Sequence, residues 1–79
     1  MTASDKVKEL FANQLGVKIE NISDTTTFDD LGADSLDKIE ITLQLEDVFK
    51  IEIPDNEAER LLTVGEVISH IEKKTTTIN

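Results

Sequence analysis

The sequence predicts an all-α fold: a small four-helix bundle of three main helices and one short one, with a long first loop. Three observations carry that prediction. Apolar residues recur at helical spacing in three separate segments, and each segment opens on a capping residue. The one alternating stretch, Phe49 to Ile53, has no second strand signal to pair with. The 79 residues make a single domain, near the size at which one core only just suffices. With Phe11, Phe28 and Phe49 as the only aromatics, that core must be mostly Leu, Ile and Val.

The first helix is expected from about Ser4 to Leu15, capped by Thr2 or Ser4. Val7, Leu10, Phe11 and Leu15 share one face, and Gly16 supplies a left-handed stop. From Gly16 to Ala33 no long periodicity appears. A connection of that length must be tied down or functional. Val17, Ile19, Ile22, Phe28 and Leu31 are the expected apolar pins, with a short helical turn around Phe28 to Leu31.

Asp34 reads as the cap of the second helix, with Asp37 three residues on completing a capping-box-like pair. This helix should reach Phe49, and its apolar positions divide into two stripes. Ile41, Leu45, Val48 and Phe49 form the wider one, assigned to the core. Leu36, Ile39 and Leu43 form a narrower one, flanked by Glu40, Glu46 and Asp47. Spacing alone leaves two readings of the narrow stripe open: a helix buried on most sides, or an exposed docking surface with an apolar centre and a charged surround. The number of flanking carboxylates favours docking.

Phe49, Ile51 and Ile53 then make an extended link that Pro54 ends. A short helical turn runs from Pro54-Asp55 to about Leu61, with proline near its first helical position. Thr63 and Glu66 form a capping pair for the last helix, whose apolar face is Val64, Val67, Ile68 and Ile71. Lys73 and Lys74 lie at its C-terminal end, where the helix dipole favours cations. Residues 75–79 are expected to fray.

Composition narrows the function. Seventeen acidic residues against eight basic ones give a formal charge of -9, which disfavours nucleic acid and anionic membrane surfaces as partners. The same charge favours basic protein partners, or simply solvates a small domain. There is no cysteine, hence neither disulfide nor thiolate metal site, and no apolar run approaches the roughly 20 residues of a membrane span. The start, Met1-Thr2-Ala3-Ser4-Asp5, has no basic segment followed by an apolar one, which favours a bacterial cytoplasm.

Ser35, behind Gly32 and among carboxylates, is the candidate functional residue, as a nucleophile, a helix cap or an attachment point. Nucleophilic catalysis needs a base and an oxyanion hole. The only histidine, His70, lies on the last helix beside the Ile68 and Ile71 face, and no G-x-S-x-G elbow is present. A calcium loop also fails: with Gly32 aligned to the loop glycine, Leu31 takes a ligand position and Lys38 the bidentate glutamate position. No intrinsic metal is expected. As an attachment point, Ser35 would begin a helix, where unpaired N–H groups favour a phosphate ester, and Gly32 and Ala33 leave little bulk beside it. The tripeptide Asp34-Ser35-Leu36 does not by itself separate attachment from capping.

Leu31-Gly32-Ala33-Asp34-Ser35-Leu36, the acidic helix after it and Ile53-Pro54-Asp55 closely resemble the acyl carrier proteins of type II (dissociated) fatty acid synthesis. The resemblance extends to Gln14-Leu15-Gly16-Val17 and Thr63-Val64, nearly the whole chain. It implies that Ser35 is esterified by 4'-phosphopantetheine, transferred from coenzyme A by a magnesium-dependent phosphopantetheinyl transferase (holo-acyl carrier protein synthase). The chain would then be no enzyme but a monomeric cytoplasmic shuttle, carrying acyl thioesters between fatty acid synthesis enzymes and acyltransferases with basic patches. By the same resemblance Asp34 matches the acidic residue near the magnesium ion during transfer. Leu36, Asp37, Ile39, Glu40, Leu43, Glu46 and Asp47 match the partner-docking helix. Leu45, Phe49, Ile53, Ala58, Leu61 and Val67 are the expected lining of an acyl cavity, motivated also by an almost wholly aliphatic core. Lys38 and Val48 depart from the family pattern, which often has a neutral and an acidic residue there. The alternatives are a carrier of polyketide, nonribosomal peptide or D-alanyl transfer, and an acidic helical interaction module with no prosthetic group.

Overall fold

Thirteen residues, Ala3–Leu15, form the first helix, α1, because Thr2 can cap it: its Oγ1 accepts from Asp5 N–H at 3.1 Å. The computed structural model describes residues 2–76. On α1 the expected face is the inner one, with Val7 and Phe11 fully buried and Leu10 and Leu15 packed against the core. Gly16 ends the helix in the left-handed conformation, donating to Ala12 O at 2.9 Å.

The long connection is pinned rather than loose. Ile22 is buried, while Val17, Phe28 and Leu31 pack against the core, and the Phe28 ring lies 5.2 Å from that of Phe11, tilted by 41°. The turn at Phe28 is present, with Leu31 N–H donating to Phe28 O and Gly32 N–H to Asp29 O. One pin is corrected. Ile19 begins a single 3-10 turn, Ile19–Asn21, which the sequence reading did not foresee, and it is left 43% exposed there.

The second helix, α2, is Ser35–Phe49, and Lys50 closes it in the left-handed conformation at φ 57°. Ile41 and Leu45 are buried and Phe49 packs against the core. Val48 is a second correction, at 40% exposure. It shares Ile41's direction around the helix but lies about 10.5 Å further along, in the last turn, where cover is incomplete. The alternating stretch after α2 has no regular structure and forms no strand pairing among the described residues. Ile53 is buried, and its N–H donates to Glu46 Oε2 at 2.7 Å.

The short helix α3, Asp55–Ala58, follows Pro54, and a further turn carries it to Leu61, whose N–H reaches Ala58 O. The last helix, α4, is Val64–Thr76. All four of its orphan N–H groups find acceptors, as a buried helix end requires. Thr63 donates to Glu66 Oε1, Val64 to Thr26 O, Gly65 to Asp24 O and Glu66 to Thr63 Oγ1. Two of these acceptors belong to the long connection, which is thereby sewn to α4. Val64, Val67, Ile68 and Ile71 are buried as expected, and α1 packs on both α2 and α4.

Thr75 and Thr76, where fraying is expected, are the last residues of α4. The Thr75 hydroxyl donates back to Ile71 O at 2.9 Å. The rest of that expectation, residues 77–79, lies outside the described residues.

Candidate functional site

Ser35 is the first residue of α2 and is exposed. Its position is fixed by the pair on either side of it. Asp34 Oδ1 accepts from Asp37 N–H at 2.9 Å, and Asp37 Oδ2 accepts from Asp34 N–H at 3.3 Å, a reciprocal capping box. Capping therefore belongs to Asp34, and the Ser35 hydroxyl is left for other work. Gly32 has φ 73°, a conformation that carries the chain sharply from the Phe28 turn into α2 and that L side chains seldom adopt. Among the described residues, the N–H groups of Ser35 and Leu36 donate to no other protein group.

Ser35 separates two hollows. One is an open groove of about 700 Å³ between α2 and the Ile53–Ala58 segment, walled by Ile39, Thr42, Leu43, Ile53 and Ala58. The other, about 330 Å³, lies towards Phe28, Ala33 and Leu62. Lys38 lines both, and its Nζ rests 4.9 Å from the centre of the Phe28 ring.

The narrow stripe on α2 is exposed. Leu36, Ile39 and Leu43 are 62%, 56% and 58% accessible, which rules out burial on most sides. Three large aliphatic side chains in water on one face form an apolar strip of the kind that marks a contact surface. Its carboxylates are not equivalent. Asp47 is open to solvent with Lys50 Nζ 3.9 Å away, whereas Glu46 holds Ile53 N–H, Glu40 accepts from Gln14 Nε2 at 3.4 Å and Asp37 is in the capping box.

The six residues expected around an acyl cavity share one core cluster: Leu45, Ile53 and Val67 are buried in it, and Phe49, Ala58 and Leu61 pack against it. Ile53 and Ala58 also wall the groove, and Leu61 lines a hollow beside α4. Thr42, Pro54 and Asp55 line the groove without having been foreseen. Thr42 was legible in principle: residues 35, 39, 42 and 46 follow the i, i+4, i+7, i+11 spacing of one helix face.

His70 is engaged far from this chemistry. Glu57 Oε1 accepts from Lys74 Nζ and from His70 Nε2, each at 2.9 Å, which ties α3 to α4. The hydrogen bond from Lys74, then that from His70, holds the Glu57 carboxyl below its ordinary value. Glu66 is lowered similarly by the N–H groups of Leu62 and Thr63. Among the described residues no side chain is hydrogen-bonded to the Ser35 hydroxyl, so the geometry offers an exposed hydroxyl rather than an activated nucleophile.

Residues 5–71 match the family described as "Phosphopantetheine attachment site". The chain is also 48% identical over 73 residues to the acyl carrier protein of Wolinella succinogenes, which covers 91% of this chain and 96% of that protein.

Proposed function

Since the chain belongs to the acyl carrier proteins of the phosphopantetheine-attachment family, a carrier and not a catalyst, we propose that Ser35 is the residue that bears its covalent 4'-phosphopantetheine. The observation that carries this assignment is the exposure of Ser35 at the start of α2 while the neighbouring Asp34–Asp37 pair does the capping. The residues around Ser35 suit the group. Two free N–H donors face a phosphate oxygen's natural site at a helix start, and the groove gives a thin, flexible chain a surface to lie along.

Loading forms a bond from Ser35 Oγ to the phosphorus of the pantetheine phosphate, breaks the pyrophosphate bond of coenzyme A and releases adenosine 3',5'-bisphosphate. The hydroxyl proton goes to a base on the transferase, because the carboxylates flanking Ser35 are engaged in the capping box and no described side chain is hydrogen-bonded to its hydroxyl. Once bound, the arm supplies a thiol that holds acyl groups as thioesters, a chemistry that this cysteine-free chain does not otherwise have. Everything else asked of the protein is presentation.

Leu36, Ile39 and Leu43 supply the apolar centre of a docking face, with Asp47 and the partly engaged Asp37, Glu40 and Glu46 around it. A net charge of -9 steers such a face towards basic patches and gives fast arrival without tight binding. That is the behaviour a shuttle visiting several enzymes needs. The pathway we assign is dissociated fatty acid synthesis, with the carrier acting as a cytoplasmic monomer. The supports are the Gly32-Ala33-Asp34-Ser35-Leu36 form and the strongly acidic α2. The test is to load the protein with malonate and offer it to the ketosynthases of dissociated fatty acid and polyketide synthesis in parallel. Faster turnover by the fatty acid enzyme is expected, and preference for the polyketide enzyme would reassign the pathway.

A further inference from the structure

We infer that Lys38 is a positioning residue for the arm, its ammonium pairing with the phosphodiester on Ser35; this rests on the assignment of Ser35 made above. Lys38 follows Ser35 by three residues, so the two side chains are neighbours on one face of α2. Helical side chains lean towards the N-terminus, which directs Lys38 back over the turn that holds Ser35. Of the described residues lining the two hollows that meet at Ser35, Lys38 is the only cation.

The walls otherwise have the wrong sign for a phosphate. Glu46, Asp55 and Glu59 line one hollow, and Asp29 and Asp34 the other. A phosphodiester placed at Ser35 enters a field of carboxylates, and Lys38 alone opposes it. Nor is Lys38 already committed. Among the described residues its Nζ makes no ion pair, and its contact is the face of the Phe28 ring. An ammonium on the open face of a half-buried ring is weakly held, and a fixed phosphate anion one turn away is the stronger partner. Lys38 is thus parked on Phe28 in the unloaded protein and turns to the phosphate on loading.

The test uses apo and fully loaded protein, with loading established by intact mass. In the apo form the ε-methylene protons of Lys38 lie in the ring current of Phe28 and resonate upfield. On loading they should move downfield towards the position of a free lysine. The ³¹P resonance of the loaded protein should differ between wild type and Lys38→Gln and return to the wild-type position in Lys38→Arg. Unmoved ε-protons in a fully loaded sample, or the same ³¹P position in wild type and Lys38→Gln, would overturn the inference while leaving Ser35 as the attachment residue. A protein that takes up no arm overturns both.

Discussion

At the scale of single residues, the division of labour around Ser35 comes from one hydrogen-bonded pair. Had Asp34 been apolar, Ser35 or Ala33 would have had to end the chain's approach to α2, and the hydroxyl would have been drawn into backbone duty. Glu57 shows the same economy elsewhere. Its one oxygen receives both Lys74 and His70, and α3, the wall of the groove opposite α2, is held to α4 by it. Because the folded protein holds this carboxyl below its ordinary value of 4.5, its contribution is fully present above that value and is lost as pH falls through the lowered one. Urea unfolding followed from pH 7 to pH 3 should show wild type losing stability in the acid range. Glu57→Gln should start less stable at pH 7 and lose less, and parallel curves would contradict this role.

At the scale of elements, α2 carries two faces that can be measured separately. Ile41→Ala empties a site that is 1% exposed and should cost about 2–5 kcal/mol in urea unfolding. Leu43→Ala removes a side chain that is already 58% exposed and should stay within about 0.5 kcal/mol of wild type. The rates of loading and of acyl transfer should reverse that order, falling for Leu43→Ala and holding for the Ile41→Ala protein that remains folded. Equal losses of both properties in both variants would mean that the stripes do not divide the work. The division was legible in the sequence, since period and carboxylates alone separated Ile41 and Leu45 from Leu36, Ile39 and Leu43. The exposure of Val48 was not, because spacing gives direction around a helix but not how far along it the neighbours reach. The left-handed end at Lys50 was also hidden, having no glycine to mark it.

For the molecule as a whole, the long connection is what makes three helices one body. Its carbonyls at Asp24 and Thr26 accept the first two N–H groups of α4, and Phe28 stacks against Phe11. Gly65 permits the approach: a Cβ there would lie 2.8 Å from Asp24 O and 3.1 Å from Asp24 Cβ. A helical Gly→Ala change ordinarily stabilises by about 1 kcal/mol. Gly65→Ala should instead destabilise by about 1–3 kcal/mol in urea unfolding, as overpacking does, and a stabilised variant would show that the contact is not tight. Capping and periodicity made the helices legible, and the apolar pins showed that the loop was held. What held it was invisible, because backbone carbonyls leave no trace in residue identity. The groove was hidden for a related reason: the open space lies where α2 meets the link after it, and spacing along one element does not show where two elements stand apart.

The claim on which the rest depends is that the arm sits on one serine of four, Ser4, Ser23, Ser35 and Ser69. Incubation with coenzyme A and a broad-specificity phosphopantetheinyl transferase, followed by peptide fragmentation mass spectrometry, locates the adduct directly. A single phosphopantetheine on the peptide containing Ser35, absent from Ser35→Ala, is the predicted result. No adduct, or an adduct of the same yield on Ser35→Ala, would contradict it.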